Sequence, residues 1–188
     1  MQNKRPYCQQ CQRPLRTCLC DLVKLVPTET EVVILQHPSE AGHAKGSARL
    51  LHLCLPNSRL YVGEVFQPDE LQLQASGSVL LYPGADNSRG ADRCEVVSQL
   101  LVLDGTWRKS RKLLYLNPWL QDLPRLALDS GQSRYRIRKP EFGHQLSTFE
   151  ATLSGLSQLE GPDKFTSLGD VFTTFVDRYE RFINANKC

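Results

Sequence analysis

The chain of 188 residues lacks several features that would place it in a class at once. No apolar run approaches the roughly eighteen residues of a membrane span, so we predict no membrane-spanning segment. The opening residues Met1–Pro6 lead into no apolar stretch, so we expect no signal peptide and a cytoplasmic location. Gly-x-Gly-x-x-Gly and P-loop motifs are missing, and a nucleotide-type cofactor would therefore need a non-Rossmann site.

The net charge is a modest +3, but the charges are unevenly distributed. Residues 89–139 hold eleven Lys and Arg against five Asp and Glu, whereas residues 1–88 hold eight of each and residues 140–188 hold four against seven. Arginine forks suit phosphate oxygens and aromatic rings suit unstacked bases, and this middle segment mixes both. The segment therefore predicts contact with RNA, with an ordinary solvated face as the alternative.

Length and a hydrophobic content of 40% predict one domain with a small appendage, which we divide into residues 1–26 and 27–188. Short apolar segments alternate with helical patterns, which predicts an α/β fold with a mostly parallel sheet and helices on both faces. Predicted strands are 31–36, 59–63, 78–82, 100–103 and 124–128, and predicted helices are 38–53, 107–116, 148–159 and 164–184. Residues 129–146 are predicted to form a long irregular segment of the functional or disordered kind.

Four cysteines stand close together at the start of the chain: Cys8, Cys11, Cys18 and Cys20. Their C-x2-C and C-x-C spacings are typical of a tetrahedral zinc site. A cytosolic chain keeps its thiols reduced, which disfavours disulfides, while an iron–sulfur cluster or a redox pair is the alternative. Because four thiolates leave no open coordination position, the predicted metal is structural.

The segment Asp104-Gly105-Thr106-Trp107 follows the apolar run 100–103 and precedes four cations. An apolar run that closes on Asp and Gly predicts a buried parallel strand followed by a tight turn. Ligands of open α/β sheets bind at the carboxyl ends of strands, so Asp104 is placed where such a fold keeps its site. In the alternative interpretation, Asp104 only caps the next helix and Trp107 fills the core.

Two further segments carry polar groups near predicted helix starts. Ser147 and Glu150 have the S-x-x-E spacing of a capping box, which would explain both residues structurally. A helix N-terminus also attracts anions, so a binding role is compatible with the box. Lys45 and Arg49 stand four residues apart, and we expect them to share one face of the helix after His37-Pro38.

Six segments, in this order, resemble the DTW-domain family, and in particular its bacterial tRNA-uridine aminocarboxypropyltransferases. They are the four-cysteine head, Leu35–Pro38 with Lys45, Ala48 and Arg49, Leu81–Gly84, Asp104–Arg108, Tyr135–Lys139 and Ser147–Ala151. The resemblance implies a fold related to the SPOUT methyltransferases, with a trefoil-knotted core. It also implies an enzyme that moves the 3-amino-3-carboxypropyl group of S-adenosylmethionine to N3 of a uridine in tRNA, releasing methylthioadenosine. A SPOUT-type RNA methyltransferase and a non-catalytic zinc-knuckle RNA-binding module are the alternatives.

Roles for individual residues follow from this expected reaction. Asp104 is the candidate general base or orienting group for uridine N3, and Glu150 is the second candidate. We expect Ser147 and Thr148 to bind the methionine carboxylate at a helix N-terminus. The expected contacts to the rest of the cofactor are Leu81, Tyr82, Pro83, Leu103, Thr106 and Trp107. The expected contacts to RNA phosphates are Lys45, Arg49, Arg108, Arg136 and Arg138. No obligate protein partner is evident.

Overall fold

The core of the protein is a five-stranded sheet. The computed structural model describes residues 6–43, 45–74, 76–83, 96–128 and 146–185, with side chains as far as residue 182. The strands are β1 (Glu31–Gln36), β2 (Ser58–Val62), β3 (Ser78–Leu81), β4 (Gln99–Asp104) and β5 (Arg125–Leu126). They lie in the order β2-β1-β4-β3-β5, and every described pairing is parallel. The predicted α/β class with a parallel sheet is confirmed.

Helices cover both faces of this sheet, as expected. They are α1 (Pro38–Ala41), α2 (Ala48–Cys54), α3 (Trp107–Leu116), α4 (Thr148–Glu160) and α5 (Thr166–Ala185). Successive side chains of a strand point to opposite faces. Accordingly Ile34 and Val102 pack with α2, α4, α5 and the head, whereas Leu35 and Leu103 pack with α3 on the other face.

The predicted continuous helix over 38–53 is wrong, because the structure forms two helices there. The backbone turns tightly between α1 and α2, where His43 N–H bonds to the Glu40 carbonyl and Gly46 N–H bonds to the His43 carbonyl. Gly42 and Gly46 disfavour helix over this stretch. Lys45 therefore lies in a turn and shares no helix face with Arg49; its ammonium lies 5.6 Å from the ring centroid of Tyr179.

The carboxyl ends of β1 and β4 form a switch point in this topology. The chain leaves β1 towards β2 and leaves β4 towards β5, and these two strands lie on opposite sides of the β1–β4 pair. Such diverging connections open a crevice where open α/β sheets bind ligands. Gln36 pairs with Asp104 in the register, so these two residues flank the crevice.

The four-cysteine head packs on the α5 side of the sheet. Cys11 and Leu19 are buried in the same apolar cluster as Phe175, and Arg178 of α5 forms an ion pair with Asp21. The division at residue 26 stays a prediction, and the predicted irregular segment lies outside the described residues except for its last position. Among the described helices, none is long and apolar enough to cross a membrane.

Candidate active site and metal centre

Asp104, the last residue of β4, lies buried at the switch point with only 6% of its surface exposed. Gln36 Nε2 donates a hydrogen bond to Oδ2 at 2.7 Å, and Thr148 Oγ1 donates to Oδ1 at 2.5 Å. Burial raises the pKa of Asp104 above its ordinary value, and these two hydrogen bonds offset only part of that effect. A fixed carboxylate with a raised pKa is suited to accept a proton.

The structural alternative for Asp-Gly-Thr-Trp is wrong in both of its parts. Thr106, not Asp104, is the N-cap of α3, since its hydroxyl accepts a hydrogen bond from Lys109 N–H. Trp107 does not fill the core, because 45% of its surface is exposed. Gly105 allows the turn to pass close to α3, because a Cβ at this position would lie only 2.9 Å from the Cβ of Lys109. The carboxylate of Asp104 is therefore left to face Gln36 and Thr148.

An aromatic pair stands beside Asp104 at the ends of β3 and β4. The rings of Tyr82 and Trp107 meet edge to face, with centroids 5.8 Å apart. Leu103 is buried on the same face of the sheet as Tyr82, and Pro83 follows Tyr82, whereas Leu81 is buried on the opposite face, so the structure brings only part of the expected cofactor contacts together. It also adds Arg125, whose guanidinium lies 5.5 Å from the Tyr82 centroid. Nothing in the sequence around Arg125, which begins the short strand β5, predicted this contact.

The capping box predicted at the start of α4 is confirmed. Ser147 Oγ accepts from Glu150 N–H at 3.2 Å, and Glu150 Oε2 accepts from Ser147 N–H at 2.9 Å and from the Ser147 hydroxyl at 2.7 Å. Glu150 is 3% exposed, and within the described residues the hydrogen bonds of its side chain all lie within this box. The first turn of α4 reaches Asp104 through Thr148.

A second polar network, which the sequence analysis missed, lies on the β2 side of Asp104. His37 Nε2 is 2.9 Å from Glu64 Oε1, and Lys112 Nζ is 2.7 Å from Glu64 Oε2. The hydrogen bond from Lys112 lowers the pKa of Glu64. Lys109 forms an ion pair with Glu40. Two of the four cations after Trp107 are thus paired within the protein.

The expected RNA contacts are dispersed over the carboxyl edge. Arg49 lies in the first turn of α2 on one face of the sheet, and Arg108 is exposed at the start of α3 on the other. Lys45 lies in the turn before α2. Arg136 and Arg138 fall outside the described residues, so their part in the basic segment stays a prediction.

The four cysteines of the head come together as a cluster that could hold a metal ion. The Sγ atoms of Cys8 and Cys20 are 3.6 Å apart, those of Cys11 and Cys18 are 3.7 Å apart, and all four lie within 4.8 Å of one another. Zinc–sulfur bonds of about 2.3 Å in a tetrahedron place the sulfurs about 3.8 Å apart, so the arrangement fits zinc. A disulfide would need about 2.05 Å.

The pKa shifts of these thiols are also consistent with a site for a metal cation. Hydrogen bonds from the backbone of Cys11 and Gln10 lower the pKa of Cys8 to about 6. Burial and the neighbouring sulfurs raise the pKa of Cys20 to about 12. Crowded thiols of this kind do not all ionise easily on their own, whereas a coordinated metal stabilises every thiolate at once.

These features define a parallel α/β protein with a buried acid at the carboxyl edge of its sheet and a four-cysteine head. The DTW domain matches residues 5–180, and the chain belongs to the DTW domain family. It is 31% identical over 171 residues to tRNA-uridine aminocarboxypropyltransferase 2 of Macaca fascicularis, covering 84% of this chain and 57% of that protein.

Two further relatives match over similar lengths. The Drosophila melanogaster protein named tRNA-uridine aminocarboxypropyltransferase 2 is 31% identical, with 84% of this chain and 68% of that protein covered. The Arabidopsis thaliana protein named tRNA-uridine aminocarboxypropyltransferase A is 27% identical over 198 residues, covering 86% and 75%. The chain thus spans between about half and three quarters of the length of these relatives. No solved structure matches the chain.

Proposed function

We propose that this protein moves the 3-amino-3-carboxypropyl group of S-adenosylmethionine to N3 of a uridine in tRNA and releases methylthioadenosine. The relatives named tRNA-uridine aminocarboxypropyltransferase support the reaction class, since their similarity covers most of the chain. The observation that carries the proposal is the buried carboxylate of Asp104, held at the switch point by Gln36 and Thr148. N-alkylation of uridine requires a group that takes the N3 proton, and this carboxylate is built for it.

Asp104 acts as the general base, and Glu150 is the second candidate for that role. The carboxylate takes the N3 proton as the bond between N3 and the transferred carbon forms. The carbon–sulfur bond breaks at the same time, and its electron pair leaves with the sulfur of methylthioadenosine. S-adenosylmethionine supplies the sulfonium that makes this carbon electrophilic. Because the sulfonium activates three carbons, the protein selects one by orientation.

The residues at the strand ends and at α4 supply that orientation. Tyr82 and Trp107 present aromatic surface for the adenosine, and Leu81, Pro83, Leu103 and Thr106 complete the proposed contacts at the ends of β3 and β4. Ser147 and Thr148 bind the methionine carboxylate at the start of α4. The capping box satisfies the N–H of Glu150 and not that of Thr148, and Thr148 is half-buried, so the backbone N–H of Thr148 is positioned to donate to that carboxylate.

Phosphates of the tRNA are bound by Lys45, Arg49, Arg108, Arg136 and Arg138. If Arg136 and Arg138 contact phosphates, replacing each by Ala should lower the log–log salt slope of tRNA binding by about one. An unchanged tRNA affinity and slope in both variants would assign these cations to a solvated face.

The metal held by the head is zinc, and its role is structural. The trefoil knot implied by the resemblance is kept as a prediction, to be tested by an experimental structure that traces the chain through residues 129–145. A cytoplasmic location is likewise kept, since it fits reduced head thiols.

Incubation with total tRNA and S-adenosylmethionine, followed by mass spectrometry of the nucleosides, tests the reaction. A uridine carrying the aminocarboxypropyl group supports the proposal. A methylated nucleoside would point to a SPOUT-type methyltransferase. An unmodified tRNA that still binds the protein would point to a non-catalytic RNA-binding module.

A further inference from the structure

A cleft at the junction of the four-cysteine head and the sheet has no part in the transfer chemistry described above. Its cavity volume is about 60 Å³, several times the roughly 10–15 Å³ that one water molecule needs. The head, the turn between α1 and α2, the first turn of α2 and the ends of β1 and β2 form its walls. The lining residues that matter below are Arg13, Gln36, Glu40, Gly46, Arg49 and Val62.

Two guanidinium groups in this cleft are positioned for an anion. The Nε atom of Arg49 is buried and has no hydrogen-bond partner within the described part of the chain. A buried charged donor without an acceptor is costly, so an acceptor in the cleft would stabilise it. Arg13 is held in place, because its Nη2 donates to the Gly46 carbonyl at 2.6 Å and its guanidinium lies 5.5 Å from the Phe175 centroid.

The arginines of the cleft favour an anion over a cation as its ligand. Among the described lining residues, the one carboxylate is that of Glu40. Lys109 forms an ion pair with this carboxylate and compensates its charge. Cys11 also lines the cleft, so the thiolates of a metal-loaded head lie next to Arg13 and compensate part of its charge. The preference for an anion therefore rests mainly on Arg49, because an arginine fork matches the oxygens of a phosphate.

The position of the cleft identifies which anion fits. Gln36 lines the cleft and donates its amide hydrogen to Asp104, so one side chain separates the cleft from the candidate base. The aromatic pair of Tyr82 and Trp107 lies on the opposite side of Asp104, at the ends of β3 and β4. Val62 keeps the β2 side of the cleft open to solvent, with 53% of its surface exposed. A polynucleotide that presents a base to Asp104 can run its backbone past this open side.

We propose that the cleft binds a phosphodiester group of the RNA next to the target uridine, with Arg49 and Arg13 as its contacts. The four-cysteine head then forms one wall of the RNA site through Arg13. This inference rests on the proposed function, because the target uridine is the base that Asp104 deprotonates.

Two variants and two controls test the cleft in the full-length, metal-loaded protein. Arg49→Gln removes one charged contact, and Val62→Glu places a negative charge at the exposed rim. Val62→Gln is the matched neutral control for the rim, and Arg181→Gln is the control for loss of an exposed arginine on α5. Binding of unmodified tRNA is measured over a range of salt concentrations, binding of S-adenosylmethionine is measured by calorimetry, and circular dichroism checks folding.

We expect Arg49→Gln to weaken tRNA binding about tenfold at low salt and to lower the log–log salt slope by about one. Val62→Glu should weaken tRNA binding by a similar factor, whereas Val62→Gln and Arg181→Gln should bind like the wild type. Binding of S-adenosylmethionine should be unchanged in all four variants.

Two results would overturn the inference. One is wild-type tRNA affinity and salt slope in both Arg49→Gln and Val62→Glu. The other is a loss of S-adenosylmethionine affinity with tRNA binding intact, which would assign the cleft to the carboxylate of the cofactor. If the wild type binds tRNA in this cleft but transfers nothing to it, the phosphate site stands and the proposed function fails.

Discussion

Replacing Asp104 by Asn tests the central claim about the site, because the structure accommodates the amide. The Gln36 amide can still donate to Asn Oδ1, and the Thr148 hydroxyl can reverse its role and accept from Asn Nδ2. Both contacts survive the change, so we expect the free energy of unfolding to change by no more than about 1 kcal/mol. The ability to accept a proton is lost.

The expected loss in rate is therefore much larger than the loss in stability. General-base catalysis contributes roughly a hundredfold to ten-thousandfold in rate, so Asp104→Asn should slow transfer by at least about a hundredfold. The assay is single-turnover transfer to tRNA at saturating S-adenosylmethionine, which separates chemistry from binding. Asp122→Asn, which changes an exposed acid just before β5, is the matched control. Near-equal rates in folded wild type and Asp104→Asn would refute the argument and leave Glu150 as the next candidate.

The pH dependence of the transfer rate is an independent test of Asp104 as the general base. A base must be deprotonated to act, so the rate should rise with pH through the pKa of Asp104. Because burial raises that pKa, the rise should lie above the ordinary range of an Asp. Thr148→Val removes a hydrogen bond that lowers this pKa, so the rise should move to higher pH, whereas Thr148→Ser should keep the wild-type profile. A profile that does not move in Thr148→Val would show that another group titrates.

Three other predictions follow from the geometry. Protein purified without chelator should carry about one zinc per chain, and a folded, metal-free protein with freely titrating head thiols would contradict the zinc assignment. Trp107→Ala should weaken S-adenosylmethionine binding about tenfold by calorimetry, since stacking on an aromatic side chain is worth roughly 1–3 kcal/mol, and wild-type affinity would remove Trp107 from the site. Glu150→Gln should keep the capping box and slow transfer far less than Asp104→Asn does, while Glu150→Ala should lower the free energy of unfolding by about 1 kcal/mol. Equal rate losses in Glu150→Gln and Asp104→Asn would give Glu150 a share in proton transfer.

The parts of the fold that sequence alone could predict are those with a local cause. The apolar run 100–103 predicted a strand that the structure extends by one residue at each end. The head cysteines were predictable as a cluster because their spacing confines them to thirteen residues. The helix over 38–53 was wrong because its apolar pattern was given more weight than Gly42 and Gly46, although the glycines carried the signal for a break.

Contacts between distant segments had no such local cause. Gln36 and Asp104 are 68 residues apart in the sequence, and Thr148 is 44 residues from Asp104. Their meeting depends on the strand order, which places β1 beside β4 and the start of α4 over the same edge. The proposed phosphate site likewise needs Arg13 and Arg49 in one cleft, and the hydrogen bond from Arg13 to the Gly46 carbonyl joins the head to the turn before α2.

The division of labour within Asp-Gly-Thr-Trp explains why this short segment supports a catalytic assignment. Thr106 caps α3, so the side chain of Asp104 is not needed to cap this helix. Gly105 lets the chain turn against Lys109 without a clash, which keeps Asp104 at the end of its strand rather than in the turn. Trp107 then begins the helix with its ring turned outward, against Tyr82. Burying a carboxylate raises its pKa and destabilises its charged form. A position that required only a helix cap or a core residue would not be expected to carry this energetic penalty, so the buried Asp104 supports a functional role.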